Sequence, residues 1–221
     1  MRTHHKCADA VLKGRCYKRL ALSFRAIFFF AAVAVFGLFP RSIHGQHAGS
    51  AISLELDPTQ SKINWTLSAT FHTVHGTFAC SKGSIQFDPG TGKAGGQVVA
   101  DARSGESGDP DRDKNMHQKV LESEKYPAVI FTPDKVDGAV DVHRDSKVQI
   151  HGTFDIHGAK RDLTVPAEVN FSGEHWTAKS SFDIPYVQWG MKNPSNFFLH
   201  VGETVKIDLD LAGRAAFSSA N

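Results

Sequence analysis

The sequence is poor in cysteine, which limits how its fold can be stabilised. Three cysteines occur, and two of them, Cys7 and Cys16, lie in the first 45 residues. Cys80 has no partner in the rest of the chain, so a domain formed there depends on its hydrophobic core and not on disulfides. About 170 residues are enough for one such core. Because Cys80 lies in a strand-like segment, we expect a buried and unreactive thiol.

The chain also lacks a clustered positive charge outside its N-terminal segment. Residues 1–45 carry eight of the 25 Lys and Arg but only one of the 23 Asp and Glu. The remainder holds 17 basic and 22 acidic residues, a net charge of −5. Nucleic-acid binding requires a basic surface, so this class of partner is not expected.

No uninterrupted apolar run reaches the length of a typical membrane span. The longest, residues 26–40 (AIFFFAAVAVFGLFP), has 15 residues, follows a basic stretch and precedes small residues near Gly45. This pattern is typical of a secretory signal peptide. We therefore expect residues 1–45 to be a signal peptide cleaved somewhere in 45–51, and the mature protein to be periplasmic or secreted with no stable membrane span. An uncleaved anchor is the alternative, since a span needs roughly 20 apolar residues. No cysteine lies directly after the run, so a lipoprotein anchor is not indicated.

Beyond residue 62 the dominant pattern is alternation with a period of two. The clearest case is Leu163, Val165, Ala167, Val169 and Phe171, which alternate with polar residues. Successive side chains of a strand point to opposite faces, so such a segment has one apolar and one solvated face. This is typical of antiparallel sheet. The same alternation occurs around residues 63–69, 150–156, 176–184 and 205–211.

Turn signals divide these runs into about eight strands and one helix. Gly-containing connections at residues 88–92, 137–138, 157–160 and 172–173 predict hairpins. Residues 111–122 predict the helix, with acidic residues in its first turn. The chain is therefore predicted to form one mainly β domain, either a sandwich or a closed barrel. An eight-stranded barrel can hold one small ligand or be filled by its own side chains.

The sequence contains no nucleophile elbow, P-loop or nucleotide-binding fingerprint, so no catalytic residue is proposed and an enzyme is not expected. Nine histidines follow residue 45, but His72 and His75 have a spacing that places them on opposite faces of a strand. Residues 109–113 resemble the start of a calcium loop, yet Lys114 and Val120 replace its required Gly and Glu. We expect no metal site, and interpret these acids as helix caps.

Several segments together resemble the YceI-like family of lipid- or polyisoprenoid-binding proteins. Each segment is weakly specific, but their order and spacing extend over nearly the whole mature chain. The matching segments are residues 56–63 (LDPTQSKI), 74–78 (VHGTF), 112–114 (RDK), 126–131 (YPAVIF), 152–161 (GTFDIHGAKR) and 202–207 (GETVKI).

The resemblance implies an eight-stranded antiparallel lipocalin-like β-barrel with one short helix over residues 54–216. It implies no cofactor, and a cavity for a prenyl-chain lipid or an isoprenoid quinone. Combined with strand parity, it predicts a set of cavity-lining residues that bind this ligand. They are Trp65, Leu67, Phe71, Phe78, Phe87, Phe131, Ile150, Phe154, Val165, Val169, Phe171, Trp176, Phe182, Phe197 and Phe198.

Three points are left open by the sequence. Residues 68–78 (SATFHTVHGTF) are shorter than the corresponding family segment at the cavity mouth, so the resemblance does not fix the length or head group of the ligand. Tyr186, Trp189, Phe197 and Phe198 lie in an irregular stretch and could either line the mouth or plug the barrel end. The alternative function is a filled-core barrel that binds a protein partner through its loops, and a homodimer is possible.

Overall fold

The computed structural model describes residues 51–218, and the predicted signal peptide lies outside them. Most of this part of the chain is antiparallel sheet, with one short helical segment, which confirms the predicted fold class. The strands are β1 (Ile52–Leu56), β2 (Lys62–Ala69), β3 (Thr73–Phe87), β4 (Ala94–Glu106), β5 (Ala128–Asp137), β6 (Ser146–Ile156), β7 (Ala159–Ser172), β8 (His175–Ile184) and β9 (Val201–Phe217).

The sheet closes on itself, so the barrel is confirmed and the sandwich is excluded. From β2 the pairing runs through β9, β8, β7, β6, β5 and β4 to β3, which pairs again with β2. The short strand β1 also pairs with both β3 and β9, but near their other ends, where it extends the position of β2. Nine strand segments therefore fill eight positions in the barrel.

The interruption between β1 and β2 is a tight turn built around Asp57. Its carboxylate accepts hydrogen bonds from the backbone N–H and hydroxyl of Thr59 at 2.9 and 2.6 Å. Ser61 in turn donates from its hydroxyl to the carbonyl of Asp57 at 2.8 Å. The polar residues of the sequence Asp-Pro-Thr-Gln-Ser thus form the turn, because their side chains bond to the backbone N–H and C=O groups that have no partner in the sheet.

The helical segment begins as predicted but does not continue as one α-helix. Helix α1 (Pro110–Asn115) is capped by Asp109, whose carboxylate accepts from the backbone N–H of Asp111 and Arg112 at 3.0 Å each. This confirms the predicted capping role for Asp109. The chain then widens into a π-helical turn (Met116–Val120), and the sequence prediction of a regular helix to residue 122 is wrong there.

The connections divide between the two ends of the barrel. The turn at residues 70–72, the helical segment, the β6–β7 hairpin and the long loop of residues 185–200 lie at one end, called here the loop end. The start of β1, the hairpins at residues 88–93 and 173–174, and the loop of residues 138–145 lie at the other, called the closed end. No helix within residues 51–218 has the length and apolar character of a membrane span.

Candidate functional site: an apolar cavity along the barrel

The inward faces of the strands enclose a cavity of about 810 Å³. It runs the length of the barrel, and its walls come from all nine strands and from the helical segment. Twelve residues predicted from sequence line it, since the parity of each strand places them on the inner face. They are Trp65, Leu67, Phe78, Phe87, Phe131, Ile150, Phe154, Val165, Val169, Phe171, Trp176 and Phe182.

The structure does not bring the other three predicted residues into the cavity wall. Phe71, Phe197 and Phe198 are 81%, 91% and 82% exposed. All three lie in loops, where the period of two that identifies inward residues of a strand does not apply. Phe197 and Phe198 pack edge to face against each other, with ring centroids 5.1 Å apart. They do not line the cavity wall, and at this exposure they do not plug the barrel end.

Several lining residues were absent from the prediction for different reasons. Ile63, Ile207 and Leu209 have inward parity in segments whose alternation was recognised, and parity alone could have included them. Leu54 belongs to β1, a short strand that precedes the recognised alternation. Met116, Val120 and Leu121 line the cavity from the helical segment, and no local pattern reveals that this segment covers the barrel.

The closed end of the cavity is sealed by a packed apolar cluster. Trp176 is its centre, and its indole N–H donates to the carbonyls of Arg214 at 3.1 Å and Glu55 at 3.3 Å. These bonds anchor the ring across strands β1 and β9 and satisfy its single donor. The cluster consists of Ile52, Phe87, Val148, Ala167, Val169, Phe171, Trp176 and Ala215.

The loop end is where the cavity reaches the surface. Among the lining residues, only His72, Asp111 and Asn196 are exposed, and all three lie at this end. Other polar lining groups also lie here, on the helix at Asp109, Arg112 and Asn115. Deeper in the barrel Ser180 also lines the cavity, and its hydroxyl donates to the carbonyl of Pro166 at 2.6 Å. The cavity is thus an apolar pocket with a polar mouth.

A glycine opposite Trp65 shapes the wall near this mouth. Trp65 in β2 pairs with Gly76 in β3, and the indole ring lies against the glycine where a Cβ atom would otherwise stand. The space is also limited by the carbonyl of Glu106. Trp65 is only 5% exposed, and its indole nitrogen has no hydrogen-bond partner among the described residues. Only glycine at position 76 leaves room for this ring.

Burial also determines the chemistry of two polar groups near the cavity. The hydroxyl of Tyr186 donates to the carbonyl of Gly202 at 2.8 Å, and burial together with the nearby Glu203 carboxylate raises its pKa to about 12. Burial raises the pKa of the Cys80 thiol as well, and its sulfur lies 3.7 Å from the carbonyl of Val99. Cys80 is buried, as predicted. Within residues 51–218 no group of three His, Cys, Asp or Glu side chains could hold a metal ion.

A closed eight-stranded barrel with an apolar interior and one polar mouth belongs to the class of small-ligand-binding barrels. The YceI-like domain family matches the chain over residues 54–212. The protein therefore belongs to the YceI-like family, which confirms the resemblance seen in the sequence.

Solved structures that are similar to the barrel include BcnA and a polyisoprenoid binding domain. BcnA of Burkholderia cenocepacia superposes with a TM-score of 0.61 at 20% identity, over 72% of this chain and 99% of that one. A polyisoprenoid binding domain from Saccharophagus degradans, implicated in plant cell wall breakdown, superposes with a TM-score of 0.59 at 20% identity, over 74% and 98% of the two chains. At this identity the likeness concerns the fold. No curated protein matches the chain by sequence.

Proposed function

We propose that this protein is an exported, non-enzymatic binding protein that holds a polyisoprenoid, such as a prenyl lipid or isoprenoid quinone, in its barrel. The observation that carries the proposal is the cavity of about 810 Å³ with almost entirely apolar walls. Sites for small molecules typically measure about 300–1,000 Å³, so the space is sufficient for a ligand of that size. A role as carrier or as sequestering protein fits equally well.

The energetics favour a long apolar chain as ligand. Each buried CH₂ group contributes roughly 0.8 kcal/mol, so about 20 carbons give on the order of 16 kcal/mol before the cost of ordering the chain. The polar groups at the mouth suit the other end of an amphiphile. The apolar tail would extend toward Trp176 at the closed end, while a head group would remain near Arg112 and Asn115.

The alternative of a filled-core barrel does not fit this interior. Phe131, Phe154 and Phe182 project inward, yet together with the other inward side chains they leave the cavity open. A barrel whose purpose is only to display loops gains stability by packing its core, because a large void forfeits contacts between apolar groups. The membership in a family of binding proteins also supports the ligand hypothesis.

Native mass spectrometry of the protein purified from its own host, followed by lipid extraction, tests this proposal. We expect an isoprenoid to be bound. The Ala178→Phe variant places a ring inside the cavity, because Ala178 lines the wall, and we expect it to retain less of a long isoprenoid than the wild type. Thr177→Phe places the same ring on the exposed outer face of the same strand and serves as the matched control. A wild-type protein that is always empty, or an Ala178→Phe variant that retains as much of the lipid as the wild type, would contradict the proposal.

A further inference from the structure

The exposed aromatic residues at the loop end form one surface beside the cavity mouth. Phe71 lies next to His72, and Phe197 and Phe198 lie between Asn196 and Leu199. His72, Asn196 and Leu199 all line the cavity. We call the three phenylalanines the aromatic rim. The only other large hydrophobic side chain exposed within residues 51–218 is Phe217, at the closed end.

The two loops that carry the aromatic rim are bonded to each other. The backbone N–H of Thr70 donates to the carbonyl of His200 at 2.9 Å, and the backbone N–H of His200 donates to the hydroxyl of Thr70 at 2.9 Å. These reciprocal bonds hold Phe71 on the same side of the mouth as the Phe197–Phe198 pair. The rim therefore acts as one surface and not as separate exposed residues.

Side-chain hydrogen bonds also fix the shape of the longer loop. Asn196 accepts from the backbone N–H of Phe198 at 2.9 Å and of Leu199 at 3.0 Å. Asn193 accepts from the backbone N–H of Ser195 at 2.8 Å, and the hydroxyl of Ser195 accepts from the N–H of Val201 at 2.8 Å. These hydrogen bonds satisfy the backbone of the loop without any hydrophobic contact. They therefore hold Phe197 and Phe198 at the surface, where neither side chain is stabilised by burial.

We propose that the aromatic rim is a membrane-docking surface, which inserts into a lipid bilayer and brings the cavity mouth against it. The inference rests on the proposed function, because an isoprenoid resides in membranes and would otherwise have to cross water to reach the barrel. Aromatic side chains are favoured in the interfacial region of a bilayer, and an apolar surface gains affinity for it in proportion to the area it buries.

The charges around the rim fit a bilayer. Residues 69–75 and 185–202 contain no Asp or Glu, and Lys192 is their only Lys or Arg. These two segments contribute no carboxylate of their own, so only flanking groups such as Glu203 oppose anionic head groups, and Lys192 adds a modest attraction. The acidic groups that line the mouth belong instead to the helical segment, at Asp109 and Asp111, and Asp109 is paired with Arg112 at 3.3 Å. The aromatic side is thus the one suited to insertion.

The size of the rim favours a bilayer over a second copy of the chain. A phenylalanine can bury on the order of 200 Å², so three of them provide roughly 600 Å². A stable protein interface buries about 800 Å² on each partner. Insertion into lipid needs no complementary surface, so three rings at the end of a barrel are sufficient for reversible binding.

Sedimentation with vesicles of phosphatidylethanolamine and phosphatidylglycerol tests the docking surface. We expect the mature protein, purified after export and signal cleavage, to bind, and its triple variant Phe71→Ser, Phe197→Ser, Phe198→Ser to bind on the order of 100-fold more weakly. Phe217→Ser makes the same change at the opposite end and is expected to bind like the wild type. Lys192→Gln is expected to lose about fivefold on these vesicles and nothing on vesicles of phosphatidylcholine alone. Circular dichroism confirms that each variant is folded.

Binding of geranylgeraniol in solution, without vesicles, separates the two proposals. We expect the triple variant to bind it like the wild type, because the cavity walls are unchanged. If neither protein binds geranylgeraniol, the proposed function fails, while the vesicle measurement still decides on the rim. Docking is overturned if the wild type does not bind vesicles, if the triple variant binds them equally well, or if ultracentrifugation shows that the substitutions only separate a dimer.

Discussion

At the scale of single residues, Gly76 and Trp65 show how one small side chain determines the shape of the cavity. Trp65 lies across the position of a Cβ atom at Gly76, and the carbonyl of Glu106 closes the same space from the other side. A methyl group there has to displace either a buried indole or the backbone of β4. Both are held by the sheet, so neither can move at low cost.

We therefore predict that Gly76→Ala destabilises the fold by about 3 kcal/mol or more, through overpacking in a region that cannot relax. Urea unfolding followed by tryptophan fluorescence measures the change. Gly95→Ala is the control, because Gly95 lies in β4 and a methyl group added to it would have no neighbouring atom within 4 Å. We expect this control to change the stability by less than about 1 kcal/mol. Equal effects of the two substitutions would show that Trp65 does not occupy this space.

Parity explains which cavity residues could be predicted from the sequence. Val165 and Phe171 have inward positions because each strand residue has a fixed face, and this rule needs no knowledge of the neighbouring strands. Phe197 and Phe198 are equally apolar, but loop residues have no such rule. Their position depends on hydrogen bonds made by Asn196 and Thr70, which are contacts that the sequence pattern does not reveal.

At the scale of elements, the helical segment shows a second limit of sequence reasoning. The start of α1 was predictable because a cap is local, and Asp109 supplies it within three residues. The π-helical turn could not be predicted, because it accompanies hydrogen bonds between His117 and groups outside the turn. His117 is fixed between the carbonyl of Gly105 at 2.8 Å and the hydroxyl of Ser123 at 2.9 Å. The wider turn lets His117 meet both groups while Met116 and Val120 line the cavity.

The loop that follows β8 is tied to β9 by Tyr186, and this tie is expected to depend on pH. The folded pKa is raised to about 12 from 10.0, so the fold favours the neutral phenol. The neutral Tyr186 hydroxyl contributes fully to the free energy of unfolding below about pH 10. This contribution is lost as the pH rises through the folded pKa. Two pKa units correspond to on the order of 2 to 3 kcal/mol.

We predict that the stability difference between the wild type and Tyr186→Phe narrows by roughly 2 kcal/mol between about pH 9 and pH 11.5. Urea unfolding of both proteins at each pH gives this double difference. Other tyrosines and lysines titrate in both proteins, so their contributions cancel. A difference that stays constant over this range would mean that the phenol is not desolvated in the folded state.

At the scale of the whole molecule, the barrel was predictable and its interior was not. Alternation predicts a sheet that must bury one face, and the YceI-like segments select the closed form with eight strands. Whether the inward side chains meet at the centre depends on the diameter of the barrel and on every rotamer along the wall. Ala100, Ala167 and Ala178 leave room where larger residues would close it, and only the assembled structure shows that this room is continuous.

A cavity of fixed volume with one open end predicts how stabilisation depends on the length of the ligand. Each added isoprene unit buries more carbon and binds more tightly, and a tighter ligand raises the melting temperature by mass action. We expect the melting temperature to rise from geraniol through farnesol to geranylgeraniol at one concentration, and then to level off once the chain reaches the cluster around Trp176. Differential scanning fluorimetry measures the series.

Ala178→Phe shortens the available space, so its plateau is expected at a shorter prenol, whereas Thr177→Phe keeps the wild-type profile. An equal plateau in all three proteins would show that the prenols bind outside the barrel.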